Sequence, residues 1–586
     1  MAEAKGWLSE FLDKFGKVYK YIRPHKTKWL VLFLLANFYL VLSLVSPMVT
    51  KFLIDDVLST GNIELLNLLM IALIVAALLE AVTGIYSTYV GNWLGHKLIF
   101  DIRNDLFEHM EHLSLKFYSE KNFGDILSRM FDDLIGLMSF IVTLYSGVIL
   151  NILNITLILA VALYLNWKVT LVSLIVIPAF IFIQKRYAKK IREQYSVIRI
   201  STADFWNFMQ ERLKGMMLVK LFTKEEDELS TLKEKGSEWM DKNVSLTMTE
   251  AKADALTGFV SFLVLAGILW YGGYEVIAGT ITVGSLIAIY LYIARLFDPV
   301  SSLVGVNLEL QKTFVSIDRI NEYLEQKPEV EEKPDSIEMP EIRGEIEFRN
   351  VSFAYEKKRP VLEKASFKIN AGEKIGIVGP SGAGKTTAWQ LLYRLYDPDE
   401  GSILIDGIDL KNVKLKSLRK QLAIVNQEPV LFYASIKENI KYGNKFASDE
   451  KITEAARLAN IHEFIEKLPN KYDTAVGPEG TALSSGEKQR IAIARALLKQ
   501  PKIFVFDEIT AFLDADSEQK ISEAIDNIAK GKTSIIIAHR LSTLKKVGRI
   551  IVISEHGAME HGTFDELMRK KGLFHKYYTE QMKEKK

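Results

Sequence analysis

Six apolar stretches, near residues 29–49, 65–90, 136–164, 167–185, 254–276 and 283–306, decide what this chain can fold into. A helix of about 20 residues covers the roughly 30 Å of hydrocarbon in a bilayer, and each stretch approaches or exceeds that length. Inside lipid a backbone amide must find its partner within its own segment, so runs of this kind predict six membrane helices. Buried helices of a soluble core do not recur so often at this length. The third and fourth stretches are separated only by Asn166, Trp167 and Lys168, and the last two by a short loop around Ala278, Gly279 and Thr280. Both spacings predict tight hairpins at a membrane face.

The distribution of basic residues predicts the orientation. Residues 1–28 hold Lys5, Lys14, Lys17, Lys20, Arg23, Lys26 and Lys28, whereas the loop at 50–64 sets Lys51 against Asp55 and Asp56. The positive-inside rule then puts the N-terminus in the cytoplasm, and six spans return the C-terminal half to the same side. Trp7, Leu8, Phe11, Leu12, Phe15, Val18, Tyr19 and Ile22 recur at helical spacing and predict an amphipathic helix along the membrane surface, not a cleavable signal. The long connections 91–135 and 186–253 alternate charged and apolar residues, which predicts helices continuing past the bilayer into the cytoplasm. Glu80, Arg295 and Asp298 lie in or near membrane depth, where ionisable groups line a substrate path or pair between helices. A net charge of +2 gives no general reason to expect a nucleic-acid partner, and the absence of cysteine excludes disulfides, thiolate metal sites and thiol nucleophiles.

Beyond an acidic, proline-containing linker at 326–343, the pattern changes to short apolar strands and amphipathic helices, an α/β domain. The strand-like run 374–378 leads into Gly379-Pro380-Ser381-Gly382-Ala383-Gly384-Lys385-Thr386-Thr387, the spacing of a phosphate-binding loop. Glycines let the backbone approach phosphates, and amides at a helix start form an anion cradle. Lys385 is expected to neutralise the β- and γ-phosphates and Thr386 to ligate Mg2+. Downstream, Ile503-Phe504-Val505-Phe506 reads as a buried strand ending in Asp507 and Glu508. Asp507 is expected to hold Mg2+, and Glu508 to orient or deprotonate the attacking water.

Leu483-Ser484-Ser485-Gly486-Glu487 resembles the LSGGQ signature of the ABC transporter superfamily, with Ser485 and Glu487 as departures. The resemblance implies that Ser484 and Gly486 contact the γ-phosphate of ATP held by the opposite subunit. It further implies that Tyr355 stacks on adenine, that Gly379, Ser381, Gly382, Gly384 and Thr387 complete the nucleotide loop, and that Gln427 links Mg2+ and water to the membrane domain. His539 resembles the switch histidine and Asp514 the D-loop acid, with Phe512 where the family usually has a small residue. Residues 117–125, and Glu211 to Gly215 with Val219, Lys220 and Phe222, look like two cytoplasmic coupling regions.

The fold implied is multidomain: a six-helix all-α transmembrane domain plus an α/β P-loop ABC-type nucleotide-binding domain. The divisions expected are 1–28 for the N-terminal helix, 29–325 for the membrane domain, 326–343 for the linker and 344–586 for the ATPase domain. The resemblance is to a half-size exporter, an ATPase using ATP and Mg2+ to drive efflux of a hydrophobic, amphipathic or lipid-like substrate. One chain supplies one membrane domain and one ATPase domain, so a second subunit is required, with a homodimer favoured and a heterodimer left open. The alternatives are an ATP-gated channel or regulator, or one half of a heterodimer with a degenerate site. The location expected is a prokaryotic cell (inner) membrane.

Overall fold

The computed structural model describes residues 13–356, 359–380, 382–477, 483–509, 515–538, 541–554 and 559–584. Two compact units emerge: one holds residues up to 111 together with 121–326, the other 112–120 together with everything from 327 onward.

Among the described residues of the first unit, six helical stretches are long and apolar enough to cross a membrane: Asp13–Thr60, Ile63–His112, Phe123–Leu165, Trp167–Lys214, Glu225–Ile277 and Val283–Val306. Ile63–His112 and Glu225–Ile277 are unbroken over 50 and 53 residues. At 1.5 Å per residue these reach about 75–80 Å, more than twice the hydrocarbon thickness, so the charged parts of the long connections are helix continuing beyond the apolar part. None of the most apolar window of Ile63–His112 is buried, and Leu68, Ile71, Ile74, Leu78 and Ile85 face outward. A helix that turns its apolar side away from its own core has another apolar medium to meet.

The hairpins have local causes. Asn166 is extended, and its side chain accepts from Val169 N at 3.0 Å, capping the helix that begins at Trp167. Thr170 Oγ1 closes the turn by donating to Ala162 O at 2.9 Å. At the other hairpin Gly279 takes φ +74°, and Thr282 caps the next helix by accepting from Ser285 N. The Asp55 carboxylate accepts from Gly284 N at 2.8 Å there, an approach that a Cβ on Gly284 would block. Arg295 falls at a break between Val283–Ala294 and Phe297–Leu324, and its guanidinium donates to Ser43 O.

Among its described residues the second unit contains two sheets. Strands β1 (Ile346–Glu356), β2 (Arg359–Ile369), β4 (Glu400–Ile405) and β5 (Ile408–Asp409) form an antiparallel sheet in the order β2-β1-β4-β5. Strands β3 (Lys374–Val378), β6 (Leu422–Val425), β7 (Ile503–Asp507), β8 (Thr533–Ile537), β9 (Arg549–Ile553) and β10 (Met559–Gly562) form the other, in the order β10-β9-β3-β8-β7-β6. Only β10 is antiparallel to its neighbour. β7 is buried throughout: Phe504 and Phe506 enter one hydrophobic core and Ile503 and Val505 another, the two-residue period of a strand covered on both faces.

The stretch read as a linker is tied down over its second half. Ile337 bridges to Val413, Met339 and Ile342 are buried, and Ile342 N donates to Gln421 Oε1 at 2.9 Å. The Asp406 carboxylate then gathers the amides of Arg343, Gly344 and Glu345 at the entry to β1. The short helix Leu115–Glu120 belongs to this unit too, with Lys116 paired to Glu329 at 2.8 Å.

Candidate active site

β3 lies between β8 and β9 and delivers the chain into the glycine-rich loop. Gly379 passes so close to β9 that a Cβ there would sit 2.1 Å from the Ile553 carbonyl oxygen. Gly384 takes φ +93°, and a Cβ on it would meet Leu362 Cδ2 at 2.7 Å. A side chain is excluded at both positions, which keeps the backbone amides accessible. Gly382 also has a positive φ, +82°.

The loop closes on helix α1 (Lys385–Leu392). Lys385 is buried, and its Nζ donates to the carbonyl oxygens of Gly379 and Pro380, each at 2.9 Å. Burial lowers its pKa, while the carboxylates of Glu508 and Asp507 pull it back up. Thr386 is exposed at the start of α1, whereas Thr387 is buried against Tyr355, hydroxyl to hydroxyl at 3.0 Å. The Tyr355 hydroxyl donates to Gln390 Oε1 at 2.5 Å, which leaves Thr387 as the donor in that pair. Its ring packs edge-on against Phe353 and Tyr396 and remains 38% exposed. Burial raises the phenol pKa, so the hydroxyl stays protonated.

The carboxylates come from the end of β7, separated from β3 only by β8. Asp507 is buried, and its Oδ2 accepts from the indole Nε1 of Trp389 at 2.8 Å. Glu508 turns off the strand at φ +51° while its amide donates to Ile537 O at 3.0 Å. A positive φ costs a residue with a side chain about 1 kcal/mol or more, and strain of this kind gathers at functional sites. Gln427 is exposed on the loop after β6, and Gln489 Nε2 holds that loop by donating to Asn426 O at 3.1 Å and to Gln427 O.

Gln489 lies on helix α2 (Ser485–Leu498), which Ser484 caps. Ser484 Oγ accepts from Glu487 N at 3.4 Å, and Glu487 Oε2 accepts from Ser484 N at 2.8 Å. Glu487, a departure from the signature sequence, is therefore half of a reciprocal capping box. Gly486 is buried against helix α3 (Ala515–Ile528): a Cβ on it would meet Ser517 Oγ at 2.7 Å. Beside the Gln427 loop a cavity of about 360 Å³ is lined by Tyr393, Val425, Asn426, Val430, Tyr442 and Arg495, among others. Ser381, Phe512, Asp514 and His539 lie outside the described residues, as do Trp7, Leu8, Phe11 and Leu12.

The structure thus brings Lys385, Thr386, Asp507 and Glu508 to one edge of the parallel sheet and puts Ser484 and Gly486 at the start of α2. Sequence reasoning missed Trp389 and Gln489. Trp389 falls four residues after Lys385, one helical turn along the same face, and that spacing is the signal that could have found it. Among the described residues no three His, Cys, Asp or Glu could hold a metal on their own. A hydroxyl, one or two carboxylates and an ammonium beside an amide cradle nevertheless fit Mg2+ carried in on a nucleotide's phosphates.

Two family matches cover most of the chain: the ABC transporter transmembrane region over residues 29–300 and ABC transporter over residues 362–511. A putative multidrug export ATP-binding/permease protein, YgaD of Bacillus subtilis (strain 168), is 35% identical over 94% of this chain and 96% of its own length. An ATP-dependent lipid A-core flippase of Syntrophus aciditrophicus (strain SB) is 32% identical over 98% and 96%. A solved structure of a bacterial Atm1-family ABC exporter with ATP bound superposes with TM-score 0.79 at 28% identity, covering 95% of this chain and 98% of that one.

Proposed function

The chain belongs to the ABC transporter family, an integral membrane ATPase that binds ATP with Mg2+ and works as a dimer, and from that premise we propose a homodimeric exporter of amphipathic or lipid-like molecules. The observation that carries this reading is the pairing, in one chain, of six described helical stretches long and apolar enough to cross a membrane with Lys385 on the helix after β3 and Asp507 and Glu508 at the end of β7, one strand apart in the same sheet. We place the membrane domain at 29–325, the linker at 326–343 and the ATPase domain at 344–586. The N-terminus and ATPase domain face the cytoplasm of a prokaryotic cell, across its inner membrane. The similarity to a lipid A-core flippase and a multidrug permease supports the substrate class.

Bound ATP with its Mg2+ supplies the phosphoanhydride to be cleaved and a cation that offsets charge developing on the phosphates. Lys385 and the amides after Gly379 would bind the phosphates, Thr386, Asp507 and Gln427 would hold the metal, and Tyr355 would offer an aromatic face to the base. Glu508, turned off β7, takes a proton from the attacking water. Ser484 and Gly486 serve the nucleotide of the second subunit, so two ATPase domains close on two nucleotides. His539 and Asp514 complete the set by resemblance. By resemblance Met216–Leu221, which exposes Met217, Leu218 and Leu221, belongs to a region that couples the ATPase domain to the membrane helices.

The test is the chain alone, reconstituted in lipid vesicles, with phosphate release and ATP-dependent movement of a fluorescent lipid measured together. Both activities are expected, and Glu508→Gln is expected to lose both while still binding ATP. Activity only on adding a second, related chain would replace the homodimer with a heterodimer. Movement without turnover would favour the ATP-gated channel.

A further inference from the structure

We propose that Trp389 is a positioning residue for the metal-holding carboxylate: its indole N–H, fixed on the helix that carries Lys385, sets the orientation in which Asp507 meets Mg2+. The inference rests on the assignment of Asp507 as a metal ligand.

The contact joins two distant parts of the sequence, the first helix after the glycine-rich loop and the end of β7, at 2.8 Å between two buried groups. A carboxylate rotates about its last bond, and a donor on one oxygen fixes the plane in which the other presents its lone pairs. Hydrogen bonds to an ionised acceptor are shorter and stronger than neutral ones, and more so away from water. The donor is itself rigid. Trp389 belongs to the core beneath the sheet, and Tyr393, one turn further along, packs edge-on to the indole with centroids 5.9 Å apart at 89°. Lys385 and Trp389 thus ride on one short helix, one turn apart, so the cation for the phosphates and the donor for the metal ligand move together. Trp389 is also the single tryptophan of the eight to lie beyond residue 327, so it is the ATPase domain's own contribution to the emission of the chain.

A purely structural role is the competing account, since a buried indole N–H needs some acceptor and Asp507 supplies one. The two accounts differ in metal dependence. Partners that orient a metal ligand typically change metal affinity by about 10–100-fold when lost. The experiment uses the full chain in lipid nanodiscs, as wild type, Trp389→Phe, Trp389→His and Asp507→Asn. Radiolabelled ADP binding is measured first in chelator. Mg2+ is then titrated with ADP held near its metal-free half-saturation, so that bound ADP gives the Mg2+ midpoint in every variant, and tryptophan emission is followed in the wild type and Asp507→Asn. Phenylalanine keeps an aromatic ring without the donor. Histidine gives up the larger ring but places Nε2 at the same ring position as the indole Nε1.

The expected result is an emission change on adding Mg2+ to the wild type that Asp507→Asn lacks. The Mg2+ midpoint should rise at least about tenfold in Trp389→Phe, with metal-free ADP affinity within about twofold of wild type, and recover to within about threefold in Trp389→His. An equal loss with and without metal, a Trp389→His weaker than Trp389→Phe, or no emission change in the wild type would each overturn the inference. If Trp389→Phe does not fold, the emission difference between wild type and Asp507→Asn and the midpoint of Trp389→His decide it. An Asp507→Asn chain with unaltered Mg2+ dependence would overturn the assignment of Asp507 itself. Loss in Asp507→Asn beside an unaltered Trp389→Phe would overturn only the positioning role.

Discussion

Replacing Glu487 with glutamine should tighten the grip of the signature helix on ATP, although the native carboxylate caps that helix. In the capping box the glutamate oxygen accepts from Ser484 N at 2.8 Å, and a glutamine Oε1 can do the same. What the substitution removes is a negative charge from the first turn of α2. The loss of its interaction with the helix dipole costs about 0.3–1 kcal/mol of helix stability. A phosphate accepting from the Ser484 hydroxyl would lie about 7 Å from the Glu487 carboxylate, where each pair of unit charges repels by about 0.6 kcal/mol in water. For a γ-phosphate carrying about two charges, screened by physiological salt with a Debye length of about 8 Å, the repulsion removed is about 0.5 kcal/mol. The half-saturating ATP concentration for turnover should therefore fall about twofold to threefold at physiological salt, and about fivefold at 0.01 M. Glu487→Ala removes the same charge but also the acceptor for Ser484 N, which loosens the cap that holds the Ser484 hydroxyl in place, so it should bind ATP no better than wild type. The assay is steady-state phosphate release against ATP concentration, in lipid, at two salt concentrations. An unchanged or raised half-saturation in Glu487→Gln, or a shift that ignores salt, would refute the reasoning.

Gly486→Ala should lower stability by about 1–3 kcal/mol, because the new methyl collides with the Ser517 side chain. Ser517→Gly in the same chain should recover part of that loss, and the midpoint of thermal unfolding for both single variants and the double variant checks it. Leu218→Asp changes a residue that is 60% exposed, so stability should stay within about 0.5 kcal/mol. If Met216–Leu221 passes movement between domains, that variant should keep ATP turnover and lose lipid movement, measured on the same vesicles.

The parts of this fold that were legible in sequence are those whose cause is local. Membrane helices announce themselves by length and apolarity, and β3 and β7 by short apolar runs ending in a glycine loop or a pair of acids. Asn166 was readable as a tight turn because its cap is closed within three residues. The rest depends on partners far away in the chain. The spacing from Lys385 puts Trp389 on the site's side of its helix, but only the folded sheet shows that β7 brings a carboxylate to its indole from 118 residues later. Prolines and acids mark 326–343 as a linker, yet the inward faces of Met339 and Ile342 appear only once the ATPase domain supplies a surface for them. Glu487 looked like a plain departure from a motif, and its carboxylate proves to be a cap for the helix that the motif begins.

The amide of Gln489 has a consequence for the dimer as a whole. It ties the Gln427 loop of one chain to the same chain's signature helix, and in the proposed dimer those two parts attend to different nucleotides. A pull on Ser484 from the neighbour's ATP would then also be a pull on the loop beside the chain's own Mg2+. The two ATPs would be wired crosswise, and linkage requires such a coupling to run equally in both directions. Cooperativity between the sites would thus be installed within each chain before the second subunit arrives.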